Sequence, residues 1–154
     1  MNLGNLLKPE AVKVVTSASS KKRLLQEIAE VVQTAYGLNT NPVVEALMAR
    51  EALGPTGVGH GVALPHARIM GISQVMGAFV LLDKPIDFDA VDRQPVDIAF
   101  ALFAPEEAGV EHLKALALVS RTLRDAGICS KLRANPDKTT LYTILSEAKS
   151  AQAA

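Results

Sequence analysis

The sequence is poor in the residue types that build several common kinds of binding site. It has no Trp, four Phe, two Tyr and a single cysteine, Cys129. Scarce aromatics argue against stacking platforms for bases or sugar rings. One cysteine allows no disulfide within the chain, which fits a reducing compartment. The N-terminus also has no basic stretch followed by an apolar one, so no secretory signal is predicted and we expect a cytoplasmic protein.

An excess of one charge and long apolar runs are absent as well. Sixteen Lys and Arg balance sixteen Asp and Glu, so the chain lacks the basic surface expected of a nucleic-acid binder. The longest apolar stretches, near 75–82 and 98–104, fall well short of the roughly 20 residues that cross a bilayer. We therefore expect no nucleic-acid partner and no membrane insertion.

The apolar pattern predicts one α/β domain over residues 1–149, followed by a frayed tail at 150–154. Apolar runs at 74–82 and 96–103 indicate central strands of a covered sheet, and 62–68 reads as a short extended run. Apolar residues at helical spacing, bounded by capping and stop signals, predict helices at 19–36, from Thr40 or Asn41 to Gly54 with Pro42 at the first helical position, at 110–126, and at 137–149.

Two of these predicted helices carry cations at informative places. The first begins with Lys21, Lys22 and Arg23, the wrong sign for the positive end of a helix dipole, and we interpret them as a solvated basic turn. The second places Arg50 on its core-facing side in the last turn. A charge in that position needs a partner or a ligand.

Two histidines are the strongest candidates for chemistry. Pro65 fixes the backbone that presents His66, and the small Ala67 beside it leaves the imidazole accessible. A neutral imidazole has a lone pair on one nitrogen and needs only its other N–H held by an acceptor. His112 lies in the first turn of the third predicted helix, at the edge of its apolar face (Leu113, Leu116, Ala117, Ser120, Leu123). With Arg50 and Arg68, these histidines form a credible phosphoryl site.

Other chemistries fit the pattern less well. The glycines at 57, 59 and 61 lead into a strand and no Lys follows, which excludes both common phosphate loops and indicates tight turns or close backbone approach. A three-histidine metal site from His60, His66 and His112 remains an alternative, although no carboxylate is obviously placed behind it. Cys129 is predicted to be a packed thiol.

The segment around His66 resembles a known signature. Glu51, followed by the run Val58-Gly-His-Gly-Val-Ala-Leu-Pro-His-Ala67, is similar to the signature of the fructose/mannitol/nitrogen-type enzyme IIA components of the bacterial phosphoenolpyruvate-dependent phosphotransferase system. Arg50 before it and Glu111-His112-Leu113 after it also match, and the resemblance spans about 6–145. It implies a mixed β-sheet of about five strands flanked by helices.

The resemblance also implies a function and a site. The histidine at position 66 would accept a phosphoryl group from a histidine-phosphorylated HPr-like protein. Arg50 and His112 would line the site, and Arg68, Thr56 and Gly57 are candidates for supporting it. No cofactor and no metal are implied.

Within the family, two features favour the stand-alone, nitrogen-regulatory branch. The chain has no IIB or IIC domain, and 96–102 resembles the corresponding strand of regulatory members. The donor would then be the nitrogen-type HPr homologue, and the phosphorylation state would regulate unknown target proteins. Two alternatives stay open: a IIA component that passes phosphate to a separate IIB for sugar uptake, and a binding module that acts independently of phosphorylation.

Overall fold

A computed structural model describes residues 2–148, which fold around one six-stranded mixed sheet with helices packed on it. The predicted tail at 150–154 lies outside the described residues. The elements in chain order are α1 (Leu3–Leu6), β1 (Leu7–Val15), α2 (Lys21–Tyr36), α3 (Thr40–Ala52), β2 (Gly57–Gly59), β3 (Val62–Ala63), β4 (His66–Ile69), β5 (Met76–Ile86), β6 (Val96–Pro105), α4 (Val110–Leu123), α5 (Ala126–Ala134) and α6 (Lys138–Glu147).

The two strongly apolar runs form the centre of the sheet, as predicted. The strand order is β1-β5-β6-β3-β2, with β4 also paired to β6. β5 and β6 are antiparallel, whereas β1 pairs parallel to β5. Phe79 on β5 and Phe100 and Phe103 on β6 are fully buried, because helices cover both faces of a central strand. The mixed sheet flanked by helices is confirmed.

β3 and β4 form one extended segment along the edge of β6, in agreement with the predicted run 62–68. Val62 pairs with Ile98 and His66 with Leu102, so the register is the same on both sides of the Leu64-Pro65 break. Pro65 has no N–H to give to a ladder, and the N–H of Leu64 turns instead to the carbonyl of Thr56 at 2.9 Å. This break sits directly before His66.

The helix from 19 to 36 is confirmed: α2 starts after the cap residue Ser20 and ends at Gly37, whose φ is 75°. The start of the second helix was predicted wrongly. α3 begins at Thr40 after Asn39, which makes no side-chain capping bond. Pro42 is tolerated there because the first turn of a helix has no internal partner for its N–H groups.

The prediction of one helix over 110–126 is wrong, because two helices meet there. α4 ends at Leu123, and Asp125 caps α5 by accepting hydrogen bonds from the N–H groups of Gly127 and Ile128. Gly127, a residue type that typically ends a helix, therefore lies in the first turn of the next helix. An Asp followed by unpaired N–H groups is itself a helix-start signal.

The predicted buried face of α4 is also rotated. Leu113 is 67% exposed, whereas Ala115 and Val119 are fully buried and His112 is 7% exposed. His112 consequently sits on the core side of the helix and not at the edge of its apolar face. The helical spacing was right, but apolarity alone did not identify the face that packs on the sheet.

The basic first turn of α2 is only partly solvated, which corrects the interpretation of Lys21 to Arg23. Lys21 forms a salt bridge with the buried Glu51 at 2.8 Å, and Arg23 contacts Glu27 at 2.6 Å. Only Lys22 is exposed. The pairing with acidic groups offsets the unfavourable position of these cations near the helix start.

β1 and the short α1 were not predicted at all. β1 lacks a clean alternation of buried and exposed residues, and its pairing with β5 is interrupted between Leu7 and Val12. An irregular edge strand of this kind leaves little period-two signal in the sequence. Among residues 2–148, no helix is long and apolar enough to span a bilayer.

Candidate functional site

Three side chains that were predicted to act together meet at one end of β4. Arg50 comes from the last turn of α3, His66 from the first residue of β4 and His112 from the first turn of α4. Nε of Arg50 lies 3.2 Å from Nε2 of His66. The rings of His66 and His112 meet edge to face, with centroids 5.7 Å apart. The tertiary fold therefore brings this predicted trio together.

The two contacts of the His66 ring assign its tautomer. Nδ1 lies 2.8 Å from the carbonyl oxygen of Leu64, which can only accept, so Nδ1 carries the proton. Nε2 then holds the lone pair and accepts the N–H of Arg50 at 3.2 Å. Both partners require the same tautomer. The imidazole is half-buried, and its lone pair faces a guanidinium.

His112 is the most buried of the three. Its Nε2 is enclosed, and among residues 2–148 it meets no hydrogen-bond partner. Burial lowers the pKa of His112 below its usual value, and electrostatic repulsion from His66 and Arg68 lowers it further. The first turn of α4 also disfavours a protonated ring. A neutral His112 has one lone pair and one N–H, and its ring lies against that of His66.

Arg68 lies on the same face of β4 as His66 but binds backbone. Its Nη1 donates to the carbonyls of Pro105, at 3.4 Å, Glu106, at 3.1 Å, and Ala108. These carbonyls lie at the end of β6 and in the turn that leads into α4. In this arrangement Arg68 fixes the start of the helix that carries His112, and it adds a positive charge nearby.

Thr56 and Gly57, which were predicted to support the site, are both buried. Thr56 is 4% exposed, and both its N–H and its hydroxyl donate to the carboxylate of Glu51. Gly57 packs against Ala90 so closely that a Cβ there would lie 2.8 Å from the Cβ of Ala90. This is the close backbone approach that the glycine pattern predicted.

His60 lies away from the trio, on the turn between β2 and β3. Its φ is 58°, and its N–H donates to Asp92 while its carbonyl accepts from Arg133. Within the described range 2–148, no three His, Cys, Asp or Glu side chains are grouped so that they could hold a metal ion. Cys129 is free and buried, and it donates to the carbonyl of Leu123, as expected of a packed thiol.

Sequence reasoning missed the backbone groups that complete the site. The carbonyl of Leu64 holds His66, and the carbonyl of Gly54 accepts from Nη1 of Arg50 at 2.8 Å. One signal was available for the first: Pro65 forces the preceding residue into an extended conformation. No sequence pattern predicts that the loop after α3 folds back under its own last-turn arginine.

Comparison with known proteins agrees with this arrangement. Residues 5–148 match the family described as phosphoenolpyruvate-dependent sugar phosphotransferase system, EIIA 2. The chain is 46% identical over 145 residues to a nitrogen regulatory protein of Bradyrhizobium diazoefficiens, covering 94% of this chain and 95% of that protein. It is 41% identical over 151 residues to a nitrogen regulatory protein of Klebsiella oxytoca, covering 97% and 93%.

The fold has a close counterpart among solved structures. The crystal structure of nitrogen regulatory protein IIA-Ntr from Neisseria meningitidis superposes with a TM-score of 0.84, at 36% identity, over 93% of this chain and 98% of that one. These matches support a phosphocarrier role. Because the family match and the relatives both span nearly the whole chain, this protein belongs to the EIIA 2 family of the phosphoenolpyruvate-dependent sugar phosphotransferase system.

Proposed function

We propose that the protein is a phosphocarrier that accepts a phosphoryl group on Nε2 of His66 and regulates other proteins according to its phosphorylation state. The observation that carries this proposal is the double restraint on the His66 ring. The Leu64 carbonyl oxygen lies 2.8 Å from Nδ1 and keeps the proton there, and Nε of Arg50 lies 3.2 Å from Nε2 and faces its lone pair. The nucleophilic nitrogen is thus unprotonated, oriented and next to a cation.

The proposed phosphoryl transfer needs no general base, because the attacking nitrogen is already unprotonated. The lone pair of Nε2 attacks the phosphorus of a phosphohistidine donor, a new P–N bond forms and the P–N bond to the donor breaks. The donor imidazole leaves with the electron pair of that bond. Nδ1 of His66 keeps its proton throughout and donates it in a hydrogen bond to the Leu64 carbonyl, so the phosphorylated ring stays a good leaving group for the return transfer.

Arg50 and His112 are proposed to stabilise the transferring group. As the phosphoryl group reaches Nε2, the N–H of Arg50 loses its lone-pair acceptor and can turn to a phosphoryl oxygen. Charge on those oxygens is what donors stabilise in phosphoryl transfer. His112 lies beside His66 with an unpartnered buried nitrogen among the described residues 2–148. It can meet the phosphoryl group without first breaking a bond to the protein.

The proposed donor is a nitrogen-type, HPr-like phosphohistidine protein, because the relatives at 46% and 41% identity are nitrogen regulatory proteins. The phosphorylation state of His66 would then set the binding of regulatory targets. We place the reaction in the cytoplasm, where a free buried cysteine such as Cys129 is stable.

Incubation with phosphoenolpyruvate, the HPr-like donor protein and the enzyme that phosphorylates that donor tests the proposal. We expect one acid-labile, base-stable phosphoryl group per chain, with the phosphorus attached to Nε2 in the ¹⁵N spectrum of the ring. His66→Ala should take up none, and His60→Asn serves as the matched control that keeps full uptake. Stoichiometric labelling of His66→Ala would overturn the assignment.

Target binding separates a phosphorylation switch from a module that ignores phosphorylation. A target should bind the protein in only one of its two states, either with or without a phosphoryl group on His66, and His66→Ala should behave as the unphosphorylated form. Partners that bind equally well in every state would favour the binding-module alternative. Efficient transfer to an isolated IIB protein would favour sugar uptake.

A further inference from the structure

Glu51 is a buried acid for which the proposed transfer has no direct use. It lies in the last turn of α3, next to Arg50, and is 9% exposed. Its carboxylate accepts from the N–H of Thr56 at 3.0 Å and from the hydroxyl of the same residue. It also forms a salt bridge with Lys21 at 2.8 Å. A buried carboxylate needs such partners to offset the loss of water.

The contacts of Thr56 continue towards the active histidine. On one side its N–H and hydroxyl hold Glu51; on the other its carbonyl accepts the N–H of Leu64 at 2.9 Å. The carbonyl of Leu64 in turn accepts Nδ1–H of His66 at 2.8 Å. A continuous series of polar contacts therefore runs from Lys21 in α2 to the ring of His66.

Arg50 depends on the same short loop. The four residues 53–56 connect α3 to β2, and the carbonyl of Gly54 in this loop accepts from Nη1 of Arg50 at 2.8 Å. Glu51 holds the far end of the loop at Thr56. Glu51 thereby restrains a loop that makes two contacts with the site. The Gly54 carbonyl orients Arg50, and the Thr56 carbonyl holds the N–H of Leu64, whose own carbonyl fixes His66.

We infer that Glu51 is a positioning residue for the proposed phosphoryl transfer, and that with Lys21 and Thr56 it keeps His66 in the tautomer with the proton on Nδ1. This inference rests on the proposed function for its kinetic consequence, but its structural part does not. Lys21 supplies the counter-charge and packs over the ring of Phe88, 4.7 Å from the centroid. Burial makes this cluster stiff, because few solvent contacts compete with its hydrogen bonds.

Glu51→Gln tests the inference with a small change of shape. The amide carries no charge to neutralise Lys21. Only one of its two terminal atoms accepts hydrogen bonds, whereas both oxygens of Glu51 accept from Thr56, so the Thr56 contacts weaken. We expect the ¹⁵N spectrum of the His66 ring to change from a single Nδ1–H tautomer to a mixture. Phosphoryl uptake should slow roughly 10- to 100-fold, because misplacing a reacting group by about 1 Å can cost about 10²-fold.

Glu27→Gln is the matched control. Glu27 is buried to a similar degree, 8% exposed, and is paired with Lys13 and Arg23. The substitution makes the same chemical change at a second buried acid, this one in α2. We expect a loss of stability but an unchanged His66 tautomer and transfer rate. If Glu51→Gln kept both the wild-type tautomer and the wild-type rate, the positioning role would be refuted.

A milder pair of variants decides the matter if Glu51→Gln does not fold. Thr56→Val removes the hydroxyl donor and keeps the shape of the side chain, whereas Thr56→Ser keeps the hydroxyl. The tautomer mixture should be present in Thr56→Val and absent from Thr56→Ser; a wild-type tautomer in Thr56→Val would overturn the inference. Because the spectrum is recorded without any donor protein, failure of wild type to accept phosphate would count against the proposed function alone.

Discussion

The rings of His66 and His112 meet edge to face, with their centroids 5.7 Å apart and their planes at 69°. One is held by a backbone carbonyl, whereas the other has a buried nitrogen with no partner among residues 2–148. The two histidines are thus prepared for different tasks. The ring of His66 is oriented as the proposed nucleophile requires, and His112 has a buried Nε2 that is available for a hydrogen bond.

The lowered pKa of His112 predicts a specific pH dependence of stability. The usual pKa of a histidine is 6.5, and below that pH the His112 side chain binds a proton in the unfolded chain but not in the folded protein. The free energy of unfolding should therefore fall as the pH drops from about 6.5 to the lowered pKa of the folded protein. Urea unfolding at about pH 7.5 and about pH 5.5 measures it. His112→Gln should lose less stability between these two pH values.

The control for that measurement is His60→Asn. His60 is exposed, and its positive φ of 58° suits asparagine. This variant should keep the pH dependence of the wild type. If His112→Gln and wild type lost the same stability on acidification, His112 would not be the group responsible.

Arg50→Ala should slow phosphoryl uptake strongly. Its guanidinium faces Nε2 of His66 at 3.2 Å, and the loss of a donor at a reacting group typically costs about 10²–10³ in rate. Single-turnover transfer from the phosphorylated donor protein is the measurement. Arg121→Ala, an exposed arginine in the last turn of α4, is the control and should transfer at the wild-type rate. An equal rate in both variants would make Arg50 structural.

Arg68→Ala should act through His112. Arg68 donates to the carbonyls of Pro105, Glu106 and Ala108, and its charge helps to lower the pKa of His112. Its removal should raise that pKa, observed by NMR titration of the ring, and slow transfer roughly tenfold by loosening the start of α4. Arg124→Ala, which loses only a contact to Ser120, is the comparison. An unmoved His112 titration would contradict the electrostatic link.

Gly57→Ala should destabilise the protein by about 1–3 kcal/mol, the usual cost of forcing an extra methyl into a packed site. The new Cβ would lie 2.8 Å from the Cβ and 2.9 Å from the Cα of Ala90. Gly109→Ala is the matched control, because a Cβ at position 109 would meet no atom within 4 Å beyond its chain neighbours. Chemical denaturation compares the two. Equal stability would show that the loop around Ala90 moves aside freely.

The sequence could predict the elements whose signals are local. The helix 21–36 follows from its apolar spacing, the Ser20 cap and Gly37, and the central strands follow from two dense apolar runs. The irregular edge strand β1 could not be predicted, because its pattern is set by pairing with β5 rather than by its own alternation. The split between α4 and α5 was missed since apolarity outweighed the cap at Asp125.

The candidate site divides in the same way. From the sequence alone came the residue types: a histidine presented by Pro65, a last-turn arginine and a second histidine in a helix start. Only the tertiary structure decided that these groups meet, that Leu64 and Arg50 set the tautomer of His66, and that Lys21 pairs with Glu51. The physical reason is that such contacts join segments distant along the chain, and no local propensity encodes the distance between them.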